Sequence, residues 1–226
     1  MFIRNAEQQS QFITDAGHDL KTPVAIVKAN LDVLELSQGR SKWSDNIRNQ
    51  ADRLELLVQK LLMMAKLDEA QGNLRRETFN FSVMLRDLWK DYMPAMQQKQ
   101  LSIRAEIPDN VEIRADREML AQMVRLLLDN AIQYTEPGGK IRVSAAEEKN
   151  KACLAVVNTV AQLPEGKPED LTERFVRGNA ARTQKSGGSG IGLAAVKRIV
   201  SLHRGKLLIT YPDEKCFQIR VEFPRS

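Results

Sequence analysis

The sequence predicts an α plus α/β molecule in two parts: a long helical hairpin over residues 1–73, built to pair into a dimeric four-helix bundle, then a two-layer α/β sandwich over 77–226. Three observations predict it. A chain of 226 residues is long enough for two modest domains, each with its own core. Apolar residues in the first seventy positions recur at helical spacing in two runs separated by a short break. After Arg75 and Arg76 the texture changes to short elements of mixed period.

The first run is Phe12, Ala16, Leu20, Val24, Val27, Leu31 and Leu34, spaced as one stripe of an amphipathic helix. Ser37, Gln38 and Gly39 interrupt it, and Gly39 suits the left-handed conformation that often ends helices. A second run follows with Ile47, Ala51, Leu54, Val58, Leu61, Ala65 and Leu67, closing near Gln71, Gly72 and Asn73. One hairpin covers such stripes on one side only, and a second copy completing a four-helix bundle would bury the rest. Packing against the rest of the same chain is the alternative.

In the second part, Phe79 to Tyr92 and Asp116 to Tyr134 read as helices and Leu101 to Glu106 alternates like a strand. Pro137, Gly138 and Gly139 form a turn before a strand pair, Lys140 to Ala145 and Ala152 to Val157. A loop from Leu163 to Pro168 and a small-residue segment from Gly178 to Gly192 precede a helix from Leu193 to Leu202. Strands Lys206 to Thr210 and Phe217 to Phe223 close the chain.

Composition narrows the function classes. Hydrophobic residues at 42% and charged residues at 28% indicate a folded globular protein rather than a disordered one. The net charge of +5 comes from 34 basic and 29 acidic residues interspersed along the chain, without the basic block of a nucleic-acid arm, so no nucleic acid is expected. Cys153 and Cys216 lack CxxC spacing and read as core thiols of a reducing compartment, not as a metal site or a disulfide. No membrane-spanning run or signal peptide is visible, so this stretch is expected to be soluble and cytoplasmic and to touch no membrane itself.

Three local constellations carry chemistry. In the first, Gly17-His18-Asp19-Leu20-Lys21-Thr22-Pro23, the helical period turns His18 away from the apolar stripe, with Thr22 one turn later on the same face. Pro23 removes a backbone donor in mid-helix and predicts a kink or strained turn there. A neutral imidazole is a good nucleophile near neutral pH, and an adjacent carboxylate can orient it or take its proton. The second, Arg125 to Tyr134, is an amphipathic helix ending in polar residues that include Asp129, Asn130 and Gln133. In the third, Gly187-Gly188-Ser189-Gly190-Ile191-Gly192-Leu193 leads straight into a helix, and such glycines and helix N-terminal amides receive phosphate. A dinucleotide-binding reading fails, because the preceding Arg182 to Ser186 is polar and not a buried strand.

These segments resemble the H, N and G2 boxes of sensor histidine kinases, in the expected order. The last two belong to the Bergerat-type ATPase fold, which these kinases share with Hsp90-like chaperones, gyrases and MutL-like proteins. Glu173-Arg174-Phe175-Val176-Arg177 is similar to the F box that opens the ATP lid. The resemblance implies an ATP- and Mg²⁺-dependent kinase that phosphorylates its own His18 and passes the phosphoryl group to an aspartate on a response-regulator receiver domain. It implies a homodimer, and the cytoplasmic portion of a membrane-bound sensor.

By the same resemblance Asp19 is base or orienter for His18, and Thr22 places a water for phosphatase activity toward the regulator. Asn130 is the Mg²⁺ ligand, Tyr134 matches the aromatic position after it, and Phe175 anchors the lid. Arg177 reaches the γ-phosphate, and Gly188, Gly190, Gly192 and Leu193 form the phosphate loop and helix start.

Three departures from the family pattern stand out. Leu126 replaces a frequent Asn, Gln133 replaces a basic residue, and Val156-Val157-Asn158-Thr159-Val160-Ala161 stands where Asp-x-Gly-x-Gly is usual. Asn158 falls at the adenine-reading Asp, and its carboxamide oxygen can still accept from the adenine amino group. Loss of the charge-assisted bond and the glycines is expected to weaken nucleotide binding by about 1 to 2 kcal/mol, roughly tenfold. The competing expectation is a catalytically weak or inactive dimeric scaffold with a degenerate nucleotide pocket.

Overall fold

The computed structural model describes residues 2–70, 74–174 and 190–224, with residues 2–19 described by their backbone alone. The chain divides into two compact units, Met1–Ala70 and Gln71–Ser226.

The first unit is a hairpin of α1 (Phe2–Gln38) and α2 (Lys42–Glu69). α1 runs through Pro23 as one helix. Gly39, at φ +78°, donates its N–H to the Glu35 carbonyl at 2.9 Å and ends α1 as its position in the sequence predicts. Two residues later the hydroxyl of Ser41 accepts from the Ser44 N–H while the Ser44 hydroxyl accepts from the Ser41 N–H, a reciprocal cap that starts α2.

The second unit begins with β1 (Arg76–Asn80), followed by α3 (Phe81–Gln98), β2 (Ser102–Glu106), β3 (Glu112–Asp116) and α4 (Arg117–Tyr134). Next come β4 (Lys140–Glu148), β5 (Lys151–Thr159), a 3-10 turn (Pro168–Thr172), α5 (Gly192–Leu202), β6 (Lys206–Asp213) and β7 (Cys216–Pro224). β1 and β3 pair antiparallel as a small ribbon. The other strands form a sheet ordered β2-β4-β5-β7-β6, parallel only between β2 and β4.

Alternate residues of the central strands point to one face: Ile141 and Val143 on β4, Ala152, Leu154 and Val156 on β5, and Ile219, Val221 and Phe223 on β7 are all buried. α3, α4 and α5 form the opposing layer, with Met84, Leu85, Leu120, Leu127, Val196 and Ile199 turned inward. Full burial of each large side chain contributes on the order of 2 kcal/mol, so the two layers hold together chiefly through this shared core.

Several elements differ from their sequence reading. The ribbon of β1 and β3 was not expected, and α3 begins only after β1, at Phe81, and extends past Pro94 to Gln98. Cys153 is buried as expected, whereas Cys216 is only half-buried at the start of β7, where its thiol hydrogen-bonds to Asp213. Among the described residues, no helix is long and apolar enough to cross a membrane.

Candidate functional site

In the hairpin, two rows of side chains repeat every seven residues. Val24 and Leu31 on α1 and Ser44, Ala51, Val58 and Ala65 on α2 are buried between the two helices. The second row, Leu20, Val27 and Leu34 on α1 with Ile47 and Leu54 on α2, stays 41–46% exposed. These are the two alternating core rows of a coiled-coil heptad, and the chain's own hairpin covers only one of them. A further apolar stripe on α1, Ile26, Val33 and Leu36, is more exposed still, with Leu36 at 88%.

Charged pairs fix the register between the helices. The Lys28 ammonium lies 2.7 Å from Asp52 and 2.9 Å from Glu55, and these carboxylates raise its pKa. Arg48 bonds Asp32 at 2.7 Å and Glu35 at 2.8 Å, and the guanidinium holds the Glu35 carboxyl below its ordinary range. His18 and Asp19 belong to α1 by backbone, and their side chains lie outside the described residues. Thr22 is exposed one turn further along.

In the second unit, α4 packs against both β5 and α5, which brings three of the predicted segments onto contacting elements. The Asp116 carboxylate starts α4 by accepting from the Met119 N–H at 3.1 Å. The buried side chains Leu120, Met123, Val124, Leu127 and Ala131 seat the helix, leaving Asn130, Gln133 and Tyr134 half-buried and Asp129 exposed. Leu126 is buried, so the family's extra Asn is replaced here by a core residue.

At the end of α4 the Lys99 ammonium donates to the carbonyls of Ile132 at 2.6 Å and Gln133 at 3.3 Å, satisfying two of the helix's terminal acceptors. Tyr92 of α3 hydrogen-bonds the Asp129 side chain, and burial together with that carboxylate pushes its phenol well above the usual range.

The turn after α4 leads into β4, whose Ile141 lies opposite Asn158 of β5. Gly139 is pressed between Thr135 and Thr159: a Cβ there would lie 2.5 Å from Thr135 Cγ2 and 2.7 Å from Thr159 Oγ1. This contact ties the C-terminal end of α4 to the end of β5 that carries Asn158. Asn158 follows Ala152, Leu154 and Val156 in the core-facing row and is 3% exposed. Its Nδ2 donates to the Thr159 carbonyl at 3.3 Å.

α5 begins at Gly192, preceded by Gly190 at φ +68° and by the buried Ile191. Among the described residues, a Cβ on Gly192 would meet nothing within 4 Å. Leu193 is half-buried. Phe175, Arg177 and Gly188 lie outside the described residues.

Sequence reasoning missed the residue that joins two of these helices. His203, buried just beyond α5, accepts from the Asp116 N–H through Nε2 at 3.0 Å, and its Nδ1 lies 2.8 Å from the Ile199 carbonyl. That pairing defines a neutral ring with its proton on Nδ1. Burial lowers its pKa. The only signal in the sequence was a lone histidine after an apolar helix, ordinarily a solvated residue.

Two family models match the chain. That of the His Kinase A (phospho-acceptor) domain covers residues 8–70, and that of the histidine kinase-, DNA gyrase B-, and HSP90-like ATPase covers residues 115–226. The sensor protein DltS of Streptococcus agalactiae is 29% identical over 217 residues, covering 96% of this chain and 54% of that protein. The signal transduction histidine-protein kinase BaeS of Escherichia coli is 25% identical over 225 residues, covering 98% and 48%. The chain thus spans about half the length of these curated relatives. Among solved structures, full-length ShkA in complex with AMPPNP is similar with a TM-score of 0.74 at 22% identity, over 95% of this chain and 45% of that one. Histidine kinase ThkA in complex with the response regulator protein TrrA gives 0.66 at 20%, over 96% and 61%. At these identities the structural likeness establishes the fold.

Proposed function

Because this chain belongs to the sensor histidine kinases, a phosphoacceptor hairpin joined to an ATPase domain, we propose that it moves the γ-phosphoryl group of ATP onto its own His18 and then onto an aspartate of a receiver domain. The packing of α4 against both β5 and α5 carries this reading, since it gathers Asn130, Tyr134, Asn158, Gly192 and Leu193 onto touching elements, with Gly190 two residues before α5. In this reading residues 1–73 serve dimerisation and phosphotransfer, and 77–226 serve nucleotide binding.

His18 supplies the nucleophilic nitrogen: its bond to the γ-phosphorus forms as the bond from that phosphorus to the bridging oxygen breaks, and ADP leaves. Asp19 orients the imidazole and takes the proton. Amides at the start of α5 and the Arg177 guanidinium, with Gly188, hold the triphosphate in line. Asn130 fits a Mg²⁺ ligand, being a hard oxygen donor half-buried on the face of α4 near its polar end. When bound, Mg²⁺ neutralises phosphate charge. Thr22 positions the water that hydrolyses the phosphorylated regulator.

We assign the open row Leu20, Val27, Leu34, Ile47 and Leu54 to a second copy of the hairpin, giving a homodimeric four-helix bundle. The outer stripe Ile26, Val33 and Leu36 is left for the receiver domain. The solved ThkA complex with a response regulator is the precedent for that partner. The membrane anchor of a full-length sensor belongs to this reading too.

A second reading, a weak or inactive scaffold, draws on Asn158 standing where the family has Asp. Incubation with ATP labelled at the γ-phosphate decides between them. The kinase reading expects acid-labile label that disappears in His18→Ala, and an unlabelled wild-type chain would favour the scaffold.

A further inference from the structure

The second unit receives the chain at Arg75 and Arg76, which follow residues 70–74 beyond the end of α2. These two residues are bonded to both candidate nucleotide helices. The Arg75 N–H donates to Asp116 Oδ2 at 3.1 Å, and Asp116 Oδ1 accepts from the Met119 N–H as the N-cap of α4. Arg76 pairs with Asp116 across the β1–β3 ribbon, and its guanidinium donates at 3.3 Å to the carbonyl of Leu202, the last residue of α5. A cation on the terminal carbonyls of a helix also offsets the negative end of its dipole. His203 closes the circuit by accepting from the Asp116 N–H.

This clamp holds α4 by its N-terminal end and α5 by its C-terminal end. The groups assigned to nucleotide stand toward the other ends, Asn130 and Tyr134 late on α4, Gly192 and Leu193 at the start of α5. At 1.5 Å per residue, the 18 residues of α4 extend about 27 Å from the clamp and the 11 of α5 about 16 Å. The two helices also pack on each other. Packed helices shift as bodies rather than deform continuously, so a ligand that bridges their far ends also acts on the bonds at the tied ends.

We propose that Arg75 and Arg76 couple nucleotide occupancy to the segment joining the hairpin to the ATPase domain. Bound nucleotide tightens the clamp and an empty site loosens it. By reciprocity, a pull on that segment that breaks the clamp weakens nucleotide binding by the same factor. The inference rests on the reading of these helix ends as the nucleotide site. Losing one exposed hydrogen bond to a charged donor sets the size of the coupling at about threefold to tenfold.

Hydrogen exchange of the whole chain, with and without saturating Mg²⁺ and ADP, reads the clamp in peptides covering residues 74–80. Labelling for seconds to minutes reports local opening rather than unfolding. The expected result is exchange slowed at least about threefold by ADP in the wild type and not slowed in Arg76→Ala. Calorimetry is expected to give ADP binding about threefold to tenfold weaker in Arg76→Ala, and restored to within about twofold by Arg76→Lys, which keeps a cationic donor. Wild-type exchange that ignores bound ADP overturns the coupling and leaves the site standing. So does an Arg76→Ala protein with a lower urea midpoint but unchanged ADP affinity, the mark of a merely structural role. Slowing that persists in ADP-saturated Arg76→Ala is general stabilisation by ligand, and it too overturns the coupling. ADP binding unaltered by Asn130→Ala overturns the site reading and the coupling with it. Should Arg76→Ala fail to fold, the wild-type response to ADP decides alone.

Discussion

The Nε2 atom of His203 accepts a 3.0 Å hydrogen bond from the main-chain N–H of Asp116, joining the residue just beyond α5 to the residue that caps α4. The same Asp116 accepts from the Arg75 N–H at 3.1 Å through Oδ2 and from the Met119 N–H through Oδ1. The start of one candidate nucleotide helix and the end of the other therefore share a single buried junction.

That junction makes the second unit sensitive to acid. Burial lowers the His203 pKa below the ordinary histidine value, so the unfolded chain binds the proton more readily than the folded one. The contribution is complete above about pH 6.5, the unfolded value, and is lost as pH falls through the depressed folded value. Urea unfolding measured between pH 7.5 and 5 is expected to show stability falling in that window, with a shallower fall in His203→Gln. An equal slope in both proteins would remove His203 as the cause.

His203→Ala removes the acceptor for the Asp116 N–H and leaves a void beside Phe223, whose ring meets the imidazole edge-on at 6.0 Å. A loss of about 2 to 4 kcal/mol is expected. The denaturant midpoint measures it, and a change under about 0.5 kcal/mol would contradict the role given to the bond.

Gly139→Ala places a methyl carbon inside contact distance of Thr135, Thr159 and the Glu136 carbonyl. Overpacking of this kind costs about 1 to 3 kcal/mol. Because the strained contact lies between the ends of α4 and β5, ADP affinity is expected to fall along with the melting temperature. An unchanged pair of values would show that the turn relaxes freely.

The two open faces of α1 are separable by substitution. Val27→Arg is expected to give monomers in sedimentation, since it places a charge in the row assigned to the second copy. Ile26→Arg, one residue away on the outer stripe, is expected to leave the dimer intact and slow transfer to the receiver domain. Dimers from Val27→Arg would reassign the row.

Loss of the proposed metal ligand in Asn130→Ala is expected to abolish His18 labelling while the far-ultraviolet circular dichroism stays that of the wild type, because the side chain is only half-buried. Labelling at more than about a tenth of the wild-type rate would move the Mg²⁺ ligand elsewhere.

The long helices were legible because their apolar residues keep helical spacing over many turns, and β4, β5 and β7 because core-facing residues alternate along nine-residue strands. β1 and β3 were not. Each has five residues, several charged, and Ile113 and Ala115 are too few to declare a period of two. The candidate site was legible where its chemistry is local in sequence, as around His18, Asn130 and Gly190. The contacts of His203 with Asp116 and of Lys99 with Ile132 span 87 and 33 residues, and no short-range pattern announces such pairings.

The unequal rows of the hairpin have a thermodynamic corollary. If Leu20, Val27, Leu34, Ile47 and Leu54 are desolvated only by a second molecule, part of the folding free energy of this unit is a free energy of association. Its unfolding midpoint then rises with protein concentration, and dilution alone loosens the helix that carries His18.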